Sequence, residues 1–189
     1  MTTTTWKTDP THTDIQFAAK HMMVTTIHGK FTTIEGTVTL DEANPASSFG
    51  SFTVDAASIN SGVERRDGHL RSADFFDVET HPTIAFASTT VVARDGNHYA
   101  VTGDLTIRGI TRPVTFDVEF LGLYAGFEGR RAGLTATTTL NREDWGLTWN
   151  MGLEAGGWLV GKEIKLELDI ALDEVAPAPV EDEVVAASA

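Results

Sequence analysis

The 189-residue chain contains no cysteine. This absence excludes disulfide bonds, thiolate nucleophiles and cysteine-ligated metal sites together, and it is compatible with a reducing or an oxidising compartment. Basic residues are also few, because 14 Lys and Arg stand against 27 Asp and Glu and give a formal net charge of −13. Since proteins bind nucleic acid and anionic membranes largely through Lys and Arg, neither is expected as a partner.

Long apolar runs are missing as well. No part of the sequence approaches the roughly 18 apolar residues of a membrane-spanning helix, and Met1–Lys7 (MTTTTWK) lacks the basic and apolar regions of a signal peptide. We therefore expect no membrane span and a cytoplasmic protein. Residues 174–189 are rich in Pro, Ala and acidic residues, which predicts an acidic, disordered tail after one domain formed by residues 1–173.

Within that domain, apolar and polar residues alternate with a period of two, as they do in strands with one dry side and one solvated side. The clearest case is 164–172, in which five aliphatic residues lie on one face and Lys165, Glu167 and Asp169 lie on the other. Together the alternating segments predict an all-β protein of about eight strands. The other segments are 13–23, 29–40, 49–58, 84–92, 99–107, 114–120 and 131–140.

Turn-forming residues such as Asn44-Pro45 and Asp95-Gly96-Asn97 separate these segments and favour antiparallel pairing. The apolar residue Phe31 has an odd number, whereas the apolar residues that follow it have even numbers, which predicts a bulge near 32–36. Residues 62–72 are polar and contain Gly68, and they predict a short helical insertion. Eight antiparallel strands form a sandwich or close into a barrel, and periodicity alone does not distinguish the two.

Residue patterns of metal sites and enzymes are absent from the sequence. The six histidines form no His-x-His or His-Glu-x-x-His pair, so we expect no metal ion. There is no Gly-x-Ser-x-Gly motif and no glycine-rich phosphate loop, and acidic residues within strands are typical of a solvated face. We therefore expect a protein that is not an enzyme and needs no cofactor.

Four motifs occur in order along the chain: WKTDPTHTDIQF at 6–17, RDGHLRSADFFD at 66–77 followed by HPTIAF at 81–86, GDLTIRGITRPV at 103–114, and NREDWG at 141–146. Together they resemble the YceI-like family of lipid-binding proteins over about 165 residues. The resemblance implies an eight-stranded antiparallel, lipocalin-like barrel whose apolar tunnel holds a polyisoprenoid, an isoprenoid quinone or a similar long-chain lipid. A homodimer and a role in stress response are further expectations.

We predict that apolar side chains line this tunnel. The polar candidates at its mouth, near a polar head group, are His21, Arg66, Asp67, His69 and Arg142. The alternative for every apolar candidate is ordinary core packing. The alternative for the polar residues is a structural role. In that case Asp67, His69 and Arg71 hold the helical insertion in place, and Arg142 forms an ion pair with Asp144. The predicted apolar contacts are Phe17, Phe31, Phe52, Phe75, Phe76, Ile84, Phe86, Leu105, Ile107, Phe116, Trp145 and Trp149.

The composition is compatible with such a site, because small barrels hold one small ligand and ten Phe and four Trp supply a wide apolar lining. A different class of function, a stress-related protein-interaction module without bound lipid, also fits the acidic sequence. A barrel interior that is packed and empty of ligand would favour this second class.

Overall fold

The computed structural model describes residues 3–126, 129–154 and 156–176. Short 3₁₀ turns occupy Pro45–Ser47, Ala56–Ser58 and Arg142–Trp145. The predicted tail lies outside the described residues from 177 onward, whereas Glu174 is the last residue of a strand. The strands and the helix are β1 (Thr3–Thr8), β2 (Asp14–His21), β3 (Thr25–Phe31), β4 (Ile34–Asp41), β5 (Phe49–Asp55), β6 (Ile59–Asn60), α1 (Glu64–Arg71), β7 (Thr83–Ala93), β8 (His98–Ile107), β9 (Ile110–Gly126), β10 (Gly129–Asn141) and β11 (Val160–Glu174).

The sheet closes on itself. Antiparallel pairing runs in the order β1, β4, β5, β7, β8, β9, β10, β11, and β11 pairs again with β1. Strands β1 and β2 are two segments of one kinked strand, since both pair with β11, while β3 and β4 form the strand beside it. The predicted eight-stranded antiparallel barrel with one short helix is therefore confirmed, and closure rather than a sandwich removes most free strand edges.

The kink between β1 and β2 is held by Asp9, which is buried. Its carboxylate accepts hydrogen bonds from the Thr11 hydroxyl at 2.6 Å and the Thr11 backbone N–H at 2.8 Å, and the His12 ring lies 2.6 Å away. The Thr11 hydroxyl, together with His12, holds the pKa of Asp9 well below its usual range. A charged carboxylate with several donors thus fixes the point where the long strand bends.

The strand break between β3 and β4 lies at Thr32 and Thr33. The change from odd to even apolar positions predicts an irregularity here. The backbone N–H groups of both residues donate to the Ser58 hydroxyl, at 3.1 and 3.2 Å, instead of to a neighbouring strand. A second irregularity shifts the pairing of β9 with β10 between Gly133 and Leu134. Such breaks and bulges bend strands as barrel closure requires.

Helix α1 covers one end of the barrel and is tied there by polar side chains. Asp67 is buried and accepts hydrogen bonds from the Ser61 hydroxyl and backbone N–H, and Arg66 donates to Ser61 as well. Arg71 donates to the carbonyls of Ala57 and Ile59, each at 2.9 Å. These contacts match the structural alternative for Asp67 and Arg71. In the part of the chain that the structure describes, no helix is long and apolar enough to cross a membrane.

Candidate functional site

The barrel encloses an elongated cavity of about 450 Å³, within the range of about 300–1,000 Å³ that is common for small-molecule sites. Every strand contributes apolar side chains to its wall. The indole N–H groups in the wall are already paired, since Trp145 donates to the Leu105 carbonyl at 3.1 Å and Trp6 to the Thr4 hydroxyl at 2.8 Å. Among the described residues, polar side chains in the wall are limited to Glu42, Ser48, Ser88, Tyr99 and Arg142.

Most of the sequence-predicted contact residues converge on this cavity. The three that do not line it are His21, at the end of β2, His69 on α1, and Trp149. The His69 ring packs edge to face on Trp149 at 4.6 Å between centroids, and its Nε2 lies 2.8 Å from an oxygen of Asp74. Those in the cavity wall are Phe17, Phe31, Phe52, Phe75, Phe76, Ile84, Phe86, Leu105, Ile107, Phe116, Arg142 and Trp145.

The two ends of the cavity differ. At the end near the β4–β5 connection, wall residues reach the surface, where Phe49 is 59% exposed and Leu123 is 39% exposed. At the other end the wall is buried under α1 and the segment after β10, as Ile59, Phe75 and Leu147 show. We call the first end the mouth and the second the closed end.

The polar candidates were expected at the mouth, but the structure places them at the opposite end of the barrel, and their contact with a ligand stays a prediction. His21 ends β2, His69 belongs to α1 and Arg142 follows β10, and all three of these positions lie at the closed end. The alternating sequence pattern cannot reveal this, because it predicts which side of a strand is apolar but not which end of a barrel is open.

Arg142 is the polar residue buried deepest in the wall, at 5% exposure. Its Nε donates to the Gly161 carbonyl at 2.9 Å and its Nη1 to the Leu147 carbonyl, while its guanidinium carbon lies 5.8 Å from the centre of the Phe75 ring. No described carboxylate forms an ion pair with it, so the alternative pairing with Asp144 is not found. Burial lowers the pKa of Arg142 from its ordinary value. The third nitrogen, Nη2, is buried without a hydrogen-bond partner among the described residues.

Three phenylalanine rings lie against glycines of the neighbouring strand. A β-carbon placed on Gly36 would fall 2.2 Å from the Phe52 ring, one on Gly29 would fall 2.3 Å from Phe17, and one on Gly103 would fall 2.4 Å from Phe86. All three rings line the cavity. The glycines therefore set how far these rings withdraw toward the wall and so how wide the cavity is.

Sequence reasoning missed several wall residues. Leu166 and Leu168 alternate visibly within β11, so the period-two pattern could have placed them in the candidate set. Leu123 could not be found in this way. Inward-facing residues of β9 have even numbers up to Phe120 and odd numbers after the irregularity in its pairing with β10. Within the described ranges, no group of three or more His, Asp or Glu side chains is arranged to hold a metal ion.

Several solved structures share the fold. Burkholderia cenocepacia BcnA superimposes with a TM-score of 0.75 at 24% identity, covering 87% of this chain and 98% of that one. A Campylobacter jejuni YCEI protein gives 0.70 at 23% identity over 84% of this chain and 90% of its own. A polyisoprenoid binding domain from Saccharophagus degradans, implicated in plant cell wall breakdown, gives 0.69 at 14% identity over 90% and 98%.

Sequence comparison adds closer relatives. UPF0312 proteins of several Staphylococcus aureus strains are 37% identical over 161 residues, which is 84% of this chain and 91% of theirs. The family model of the YceI-like domain matches residues 6–172, which include every strand of the described barrel except the first residues of β1 and the last two of β11. The chain therefore belongs to the YceI-like domain family.

Proposed function

We propose that the protein binds one long-chain isoprenoid lipid, such as a polyisoprenoid or an isoprenoid quinone, in the barrel cavity and stores or carries it. The observation that carries this proposal is a continuous, almost wholly apolar cavity in a barrel that opens at one end. The similarity in fold to a domain described as polyisoprenoid binding agrees with it.

The driving force in such a site is apolar burial. Each buried methylene contributes about 0.8 kcal/mol, so a few isoprene units outweigh the cost of immobilising the chain. The ligand needs few polar contacts, and the wall offers few. Binding by apolar burial requires no catalytic group.

We place the head group of the ligand at the closed end, beside Arg142. Its unpaired Nη2 is a buried donor that lacks an acceptor, and burying such a group without a partner is costly. A quinone carbonyl, a hydroxyl or a phosphate oxygen would supply the acceptor. The isoprenoid chain would then extend from Arg142 toward the mouth.

The alternative of an interaction module without lipid predicts a packed interior, and a cavity of about 450 Å³ disfavours it. The direct test is native mass spectrometry of the purified protein, followed by organic extraction and lipid analysis. A bound prenyl lipid is the expected result. An empty protein that also refuses added menaquinone would overturn the proposal.

A pair of matched variants locates the site. Val118 lines the cavity, and Asp117 beside it on β9 is exposed on the outer side. Val118→Trp fills the cavity and is expected to abolish retention of menaquinone during gel filtration, whereas Asp117→Trp retains it. Equal retention by both folded variants would place the ligand outside the cavity.

A further inference from the structure

Exposed apolar side chains lie on three strands at the mouth end of the barrel. Phe49 begins β5, and Val92 lies near the end of β7. The last residues of β9 include Leu121, Leu123 and Tyr124. Their exposed fractions run from 39% for Leu123 to 69% for Tyr124. We call these five residues the mouth rim. Exposed apolar side chains beside a cavity mouth are typical of a surface that contacts another apolar phase.

The mouth rim is continuous with the cavity, because Phe49 and Leu123 belong to both. A ligand with a long apolar chain therefore leaves the cavity across these side chains. Its release into water would expose the chain that the cavity had buried, which makes direct escape slow. An apolar phase placed against the mouth removes that barrier.

From this arrangement we propose that the mouth rim docks on the surface of a lipid bilayer and transfers the ligand directly between cavity and membrane. This inference rests on the proposed function of the cavity. Tyr124 suits such an interface, since its ring is apolar while its hydroxyl remains in the head-group region. The two leucines and Phe49 supply the side chains that enter the edge of the hydrocarbon layer.

The charges near the mouth indicate the kind of bilayer. Arg130 forms ion pairs with Glu42 at 2.7 Å and with Glu174 at 3.2 Å, so acidic side chains beside the mouth neutralise its charge. The whole chain carries a net charge of −13. Such a surface is repelled by anionic lipids and approaches zwitterionic ones more easily.

Another exposed apolar group lies at the closed end and serves as the control. Met22, Met23 and Val24 form the turn between β2 and β3, and none of them lines the cavity. Val24 is 79% exposed, which is more than any residue of the mouth rim. If exposure alone determined membrane docking, this turn would dock at least as well as the mouth.

The experiment follows menaquinone as it leaves the protein for phosphatidylcholine vesicles. The quinone quenches tryptophan fluorescence, and Trp6 and Trp145 line the cavity, so fluorescence recovery reports transfer. Leu121→Asp with Tyr124→Asp changes two rim residues that do not line the cavity. This double variant should retain menaquinone during gel filtration as the wild type does, yet transfer it on the order of tenfold more slowly. Met23→Asp with Val24→Asp adds the same charge at the closed end and should transfer at the wild-type rate.

Two further results bear on the inference. Adding phosphatidylglycerol to the vesicles should slow transfer by the wild type, and salt should reverse this effect. A rim variant that transfers at the wild-type rate, or an equal loss in both double variants, would overturn docking at the mouth. If the wild type retains no menaquinone at all, the proposed function fails instead, and the gel-filtration step separates that outcome from a failure of docking.

Discussion

At the residue scale, Arg142 makes the head-group proposal testable. Replacing it with Met removes the buried Nη2 donor but keeps an unbranched apolar side chain. We expect the affinity for menaquinone to fall by about tenfold or more, because a hydrogen bond to a charged group contributes about 1.5–3 kcal/mol. The affinity for squalene, a hydrocarbon without an acceptor, should change much less. Fluorescence titration with both ligands measures the difference.

The same substitution carries a cost in stability that must be separated from binding. The carbonyls of Gly161 and Leu147 would lose their donor, so Arg142→Met should lower the free energy of unfolding by about 2–4 kcal/mol in urea. An equal loss of affinity for menaquinone and squalene would show that Arg142 acts only through this structural role.

Asp9 gives a prediction with a pH dependence. Asp9→Asn keeps the shape of the kink but loses the charge that the Thr11 hydroxyl, His12 and Arg131 stabilise, with an expected cost of about 1–2 kcal/mol at neutral pH. Because the pKa of Asp9 is lowered in the folded state, its contribution is present above the unfolded value of about 4 and is lost as the pH falls through the folded pKa. The gap in stability between wild type and variant should therefore narrow on acidification below about pH 4. A constant gap in urea titrations between pH 3 and pH 7 would contradict the assignment.

At the scale of elements, strand alternation predicted most barrel strands and the irregularity after Phe31, but it missed β1 and the other irregularities. The run of aliphatic residues in β11 predicts a strand directly. The kink at Asp9 could not be predicted, because it depends on β1 and β2 sharing one partner, β11, far along the chain. The bulge in β9 is of the same kind, since pairing with β10 defines it. Local patterns report which residues are buried, whereas closure of the sheet determines where strands must bend.

Cross-strand pairing also controls the width of the cavity, through Gly36 and Phe52. In Gly36→Ala the new methyl group would meet the Phe52 ring, which must swing into the cavity. We expect weaker binding of menaquinone with a small loss of stability, and recovery of binding in the double variant Gly36→Ala with Phe52→Leu. Titration of the three proteins measures this coupling, and a double variant no better than Gly36→Ala would argue against ring displacement.

Gly103 is the matched comparison for that experiment. A β-carbon there would approach not only the Phe86 ring but also the Ala87 backbone carbonyl at 2.4 Å, and the backbone cannot rotate away. Gly103→Ala should therefore destabilise the fold more than Gly36→Ala does, by roughly 1–3 kcal/mol. Shortening Phe86 should not restore that stability.

At the scale of the whole molecule, the sequence predicts which residues line the candidate site but not which end of the barrel is open. Eleven of the twelve predicted apolar contacts lie in the cavity wall, because burial and cavity lining select the same residues, as Phe86 and Phe116 illustrate. Their contact with a ligand stays a prediction. The location of the mouth depends on which connections cover which end of the barrel. Helix α1 and Arg142 close one end, and their polar sequences resemble those of an exposed rim.

An enclosed apolar cavity links the stability of the whole barrel to its ligand. A ligand that binds only the folded protein raises its stability by RT ln(1 + [L]/Kd), which is about 2.7 kcal/mol at a concentration of 100 Kd. For a chain of this size such a change raises Tm by roughly 5–10 °C. The Tm of the delipidated wild type should therefore rise when menaquinone is added, and the rise should increase with menaquinone concentration. Differential scanning calorimetry measures it.

Two variants serve as controls. The Tm of Val118→Trp, in which the new side chain fills the cavity, should not change with menaquinone, while Asp117→Trp should respond as the wild type does. The same rise in all three proteins would mean that the lipid stabilises the barrel from outside the cavity.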